Sequence, residues 1–122
     1  MPAATILFIE DNLDNYELVR FLLVQEGFSV LGAGDGRTGL DMARERHPNL
    51  ILLDLSLPEI NGWQIAKLLK ADPDTRTIPV VALTGHTLPG DREKALDAGC
   101  DEYISKPLDI PEFLDVVRRF TS

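Results

Sequence analysis

Five residues of this chain have side chains suited to more than structure: Glu10, Asp11, Asp54, Thr84 and Lys106. They stand at or just beyond the ends of short apolar runs: Ile6-Leu7-Phe8-Ile9, Leu50-Ile51-Leu52-Leu53, Val80-Val81-Ala82-Leu83 and Tyr103-Ile104-Ser105. An ionised carboxylate inside such a run is costly to desolvate without a partner, so these acids belong at strand ends that open on a crevice. Two unit charges about 4 Å apart repel by roughly 4 kcal/mol at an effective dielectric near 20. Three carboxylates on one rim therefore require a cation or a proton, and Lys106 offsets only part of the excess. Oxygen ligands with room for water suit Mg2+, or Mn2+ in its place. An aspartate, a divalent-ion site, a hydroxyl and a lysine together point to phosphoryl transfer onto a carboxylate, in which the protein positions groups and neutralises charge. Asp54 is the candidate nucleophile, with Thr84 donating a hydrogen bond to a phosphoryl oxygen and Lys106 pairing with another.

The elements that position these residues alternate along the chain. The run Leu50–Leu57, stopped by Pro58, reads as a strand buried on both faces at the centre of a parallel sheet. The other strands are Thr5–Ile9, Phe28–Ala33, Val80–Thr84 and Glu102–Ser105. Between them lie helices: one capped by Asp14 or Asn15 with Leu18, Phe21 and Leu22 on one face, and one over Arg37–Arg46. A third carries Ile65, Leu68 and Leu69, and a fourth, Asp91–Ala98, has Leu96 as its one large apolar residue. The last carries Phe113, Val116, Val117 and Phe120 at helical spacing. Five strand–helix alternations predict an α/β fold, a five-stranded parallel sheet with helices on both faces, in one domain over residues 1–122.

Composition narrows the partners. A formal net charge of −8 disfavours a nucleic-acid surface and an anionic membrane. Cys100 is the only cysteine, so neither an internal disulfide nor a cysteine-based zinc site can form. No apolar run has the length of a membrane span, and the N-terminus lacks the basic flank of a signal peptide; the cytoplasm is the expected compartment.

Glu10-Asp11, Asp54 followed by Pro58 and Gly62, Thr84, and Lys106-Pro107 resemble, in order and spacing, the receiver domain of two-component response regulators. The likeness covers essentially the whole chain and is greatest to stand-alone, chemotaxis-regulator-like receivers. It implies the flavodoxin-like strand order 2-1-3-4-5. It implies that Asp54 accepts a phosphoryl group from a sensor histidine kinase or a histidine phosphotransfer protein. Asp11 is then a direct metal ligand aided by Glu10, with the backbone carbonyl of Ser56 contributing. Thr84 and Tyr103 form the switch pair, the ring filling the space the hydroxyl leaves. Lys106-Pro107 is expected to be cis, and Ser56 and His86 occupy positions that tune acyl-phosphate hydrolysis. The Asp91–Ala98 helix, the fifth strand and the last helix form the surface that engages an unidentified downstream protein. Such a domain is a signalling switch that assists its own phosphorylation and dephosphorylation rather than an enzyme acting on a separate substrate.

Two other readings compete. A phosphorelay shuttle, passing the group from Asp54 to a second histidine protein, shares every motif above. Gly34-Asp35-Gly36-Arg37-Thr38-Gly39 also matches G-x-G-x-x-G after a strand, the mark of a dinucleotide-binding module. That fingerprint belongs on a first strand, and here the first strand ends in acids that repel a pyrophosphate.

Overall fold

Residues 4–55, 62–84 and 91–121 are described by the computed structural model. They alternate without exception: β1 (Thr5–Ile9), α1 (Leu13–Gln25), β2 (Ser29–Ala33), α2 (Gly36–Arg46), β3 (Leu50–Asp54), α3 (Gly62–Ala71), β4 (Val80–Thr84), α4 (Asp91–Asp97), β5 (Glu102–Ser105) and α5 (Ile110–Thr121). The strands form one sheet in the order β2-β1-β3-β4-β5, and every neighbouring pair is parallel. This is the expected 2-1-3-4-5 arrangement. Every residue of β3 and β4 is buried, which is why neither strand alternates apolar with polar.

Successive strand residues point to opposite faces and divide the core in two. Leu7, Ile9, Ile51, Leu53 and Ala82 pack with Ala43, Ile65, Leu69 and Ala95 on the side of α2, α3 and α4. Ile6, Phe8, Leu52, Val81 and Leu83 pack with Val19, Leu23, Phe113 and Val117 on the side of α1 and α5. No helix of the described residues is long and apolar enough to cross a membrane.

The helical faces differ from expectation in two places. In α1 the buried residues are Val19 and Leu23, whereas Leu18 and Phe21 are 59% and 57% exposed. Apolar residues occur nearly all round α1, so periodicity alone does not select its docking face; the fit against the sheet does. In α3, Ile65, Ala66 and Leu69 are buried, while Leu68 is largely exposed for the same reason.

The docking faces of α1 and α5 can be checked by truncation. Leu23→Ala and Phe113→Ala are each expected to lower unfolding free energy by about 2–5 kcal/mol, because each leaves a cavity in a fully buried site. Phe21→Ala should stay within about 0.5 kcal/mol of wild type in the same denaturant titration.

Candidate functional site

The strand ends carry the site, and local bonds fix each one. Beyond β1, the Glu10 N–H donates to the Ala33 carbonyl at 2.9 Å, extending the ladder to β2 by one residue. Asn12, not Asp14 or Asn15, caps α1: its side chain accepts from the Asn15 N–H at 3.0 Å. An asparagine between two acids and the helix fits this cap as well as its neighbours do by type, so only the backbone turn identifies it. Asp54 is the last residue of β3 and lies opposite Leu83, one residue before Thr84. Thr84 lies opposite Ser105, and the Lys106 N–H donates to the Thr84 carbonyl at 2.6 Å. The Lys106-Pro107 bond is cis, as the resemblance implies. Gly62, the first residue of α3, sits so close to the end of β3 that a Cβ there would lie 2.6 Å from Leu55 Cα and 3.2 Å from the Asp54 carbonyl oxygen. Only glycine lets α3 start this near Asp54.

These ends bring the predicted charges together. One carboxylate oxygen from each of Glu10, Asp11 and Asp54 falls within 4.8 Å of the others. The Lys106 Nζ lies 3.4 Å from Glu10 Oε1 and 3.5 Å from Asp54 Oδ2, an ammonium shared between two acids. Glu10, Asp54 and Thr84 are buried, and Asp11 is exposed at the rim. Burial, then the hydrogen bond with Asp54 and the charge of Asp54, push the Glu10 carboxyl up to about 7, against the opposing pull of Lys106 and the Asn12 N–H. Its Oε2 is buried with no hydrogen-bond partner among the described residues. A carboxylate oxygen in that position wants a cation or a proton. The donor set, all hard oxygens with one at the solvent edge, fits a hydrated divalent ion such as Mg2+.

Tyr103 is placed differently from the acids. It lies opposite Ala82, two residues before Thr84 on β4, so Tyr103 and Thr84 share the sheet face that α3 and α4 cover. The ring belongs to the core that includes Ala95 and Ala98, and its hydroxyl is buried without a hydrogen-bond partner among the described residues. Ser56 and His86 lie outside the described residues.

The G-x-G-x-x-G stretch has a structural explanation. Asp35 caps α2, accepting from the Thr38 N–H at 2.8 Å and the Thr38 hydroxyl at 3.1 Å. Its carboxylate thus occupies the helix end that a pyrophosphate would need. A Cβ on Gly39 would lie 2.5 Å from Ile9 Cδ1, so that glycine serves the packing of α2 on β1.

Comparison with known proteins agrees with this geometry. Residues 6–118 match the model of the response regulator receiver domain. The chain is 40% identical over 116 residues to the polar-differentiation response regulator DivK of Brucella ovis, across 95% of this chain and 94% of the relative. Among solved structures it resembles the receiver domain of a sensor histidine kinase from Pseudomonas aeruginosa, determined with a magnesium ion coordinated in the active-site cleft. That likeness has a TM-score of 0.89 and 31% identity, and covers 98% of each chain. The chemotaxis protein CheY4 of Vibrio cholerae shares the fold, with a TM-score of 0.89 at 24% identity over 97% of this chain and 98% of that one.

The raised Glu10 value carries a pH dependence. A carboxyl whose folded pKa lies above its unfolded value of 4.5 contributes stability below that value and loses it as pH rises through about 7. Metal-free wild type is therefore expected to lose stability relative to Glu10→Gln as pH rises from about 4.5 to 8. Urea unfolding of both proteins across that range, with chelator present, measures the difference; parallel curves would contradict it.

Proposed function

The chain belongs to the response regulator receiver domain family, and from that membership we propose that it is a phosphorylation switch with Asp54 as the phosphoacceptor. The observation that carries this reading is the convergence of Asp54 with Glu10, Asp11 and Lys106 at one sheet edge. The donor is the phosphohistidine of a sensor histidine kinase or histidine phosphotransfer protein. An Asp54 carboxylate oxygen attacks phosphorus, the P–N bond breaks, and its electron pair returns to the departing imidazole. The product is an acyl phosphate on Asp54.

The chain's own residues hold that reaction in place. Lys106, already within ion-pair distance of Asp54, meets the charge on the phosphoryl oxygens. The Thr84 hydroxyl, at the end of the adjacent strand, donates to another oxygen. Glu10, Asp11 and Asp54 hold Mg2+ or Mn2+, which when bound supplies neutralisation of the phosphoryl charge. The same groups promote eventual hydrolysis, so the domain assists its own loading and unloading without acting on a separate substrate.

In this reading Thr84 and Tyr103, which share one face of the sheet, act as the switch pair. Movement of the Thr84 hydroxyl toward the phosphoryl group opens space on the face that Tyr103 shares, and the ring adjusts into it. α4, held by small residues, follows, and the surface of α4, β5 and α5 changes for a protein partner. The charge of −8 favours a protein rather than a nucleic acid there. This reading places the domain in the cytoplasm, with its kinase.

Incubation with Mg2+ and acetyl phosphate, followed by intact mass measurement, tests the assignment. Wild type is expected to gain one phosphoryl group and Asp54→Ala none; equal gain by the variant would overturn it. Lys106→Ala should load more slowly by roughly a hundredfold, the usual scale for removing one stabilising donor. Trp63, half-buried at the start of α3, should report loading by a fluorescence change that is absent in Asp54→Ala.

A further inference from the structure

We propose that Glu102 is a latch that ties α4 to β5 and α5 and sets how readily the switch face rearranges; this rests on the phosphorylation switch described above. Glu102 is the first residue of β5, the edge strand of the sheet. Its carboxylate gathers donors from three elements. Oε1 accepts from Arg92 of α4 at 2.9 Å and from the Tyr103 backbone N–H at 3.0 Å. Oε2 accepts from Arg119 of α5 at 2.9 Å. Partial burial alone would raise its pKa, but the Tyr103 N–H and the two arginines outweigh that and hold the carboxyl below the usual range.

A single surface ion pair contributes little. This one matters because of what it restrains. α4 spans only 7 residues, too few to persist as a helix without tertiary support. Its apolar anchorage is Ala95 and the following Ala98, while Leu96 is 43% exposed. With so little apolar burial, a charged tie is a large share of what keeps α4 in place.

The residue beneath the latch is Tyr103, whose backbone N–H the same carboxylate holds and whose buried hydroxyl has no partner among the described residues. The latch thus ties α4 and α5 to the backbone of the residue whose ring adjusts in the switch described above. Glu112 and Asp115 line the same groove of about 590 Å3 as Arg92, Glu102 and Arg119. Arginines released from Glu102 therefore have other carboxylates in the same groove to turn toward.

Glu102→Gln keeps the shape of the side chain and removes its charge. In the unphosphorylated full chain, the amides of α4 are expected to exchange about threefold to fivefold faster than in wild type, with β1 and β3 unchanged. With Mg2+ and acetyl phosphate, the variant is expected to load Asp54 faster by a similar factor, because the rearranged face is easier to reach. Arg92→Ala, which leaves the other donors on Glu102, should reproduce both effects in part and guards against a general loss of stability in the first variant. Unchanged exchange in α4 overturns the latch. Faster exchange with wild-type loading reduces Glu102 to a structural tie and also overturns it. If wild type itself takes up no phosphoryl group, the phosphoacceptor reading fails, and the exchange measurement still decides whether Glu102 holds α4.

Discussion

Crowding of negative charge at one edge of the sheet is the constraint to which the rest of the molecule answers. Glu10 and Asp54 are buried beside each other and share one ammonium, Lys106, at 3.4 and 3.5 Å. Those distances are long for strong ion pairs, and Asp11 adds a further carboxylate at the rim. Among the described residues the arrangement is unsatisfied by itself, since Glu10 Oε2 is buried there without a hydrogen-bond partner and the Glu10 pKa is raised. A fold that holds three acids this way retains binding energy for a cation, at the cost of stability when none is present.

A parallel sheet is well suited to imposing that crowding. Its strands all end on the same side, so residues far apart in sequence reach one rim without any long loop. Lys106 is separated from Glu10 by 96 positions, yet the two meet because β5 ends beside β4, and β3 lies between β4 and β1. Burial of β3 and β4 on both faces keeps the ends from drifting. The absence of a Cβ at Gly62 lets α3 close directly over the end of β3.

The helices are anchored unequally. On one side of the sheet α1 and α5 are held by Leu23, Phe113 and Val117, all fully buried. On the other, α3 is held by Ile65 and Leu69, equally buried, but α4 rests on alanines and on the charged contact of Arg92 with Glu102. The apolar packing beneath Glu10 and Asp54 is thus heavier than the packing that holds α4.

Much of this was legible in the sequence because the controlling patterns are local. Apolar runs ending in acids, a hydroxyl or a lysine are strands that stop at a polar rim, and five alternations with helices leave few topologies. The order of Glu10-Asp11, Asp54, Thr84 and Lys106 carried the family resemblance with it. Tertiary structure alone decided which face of α1 and α3 is buried, since apolar residues surround those helices and only docking distinguishes Val19 from Leu18. It also decided that Asn12 caps α1, and that Asp35 closes the helix its glycines seemed to open for a phosphate. The joining of α4 to α5 through Glu102 had no sequence signal at all, because an ion pair between residues 92, 102 and 119 depends on where three elements come to rest. Periodicity and residue type act within a segment, whereas charge pairing and face selection are properties of how segments meet.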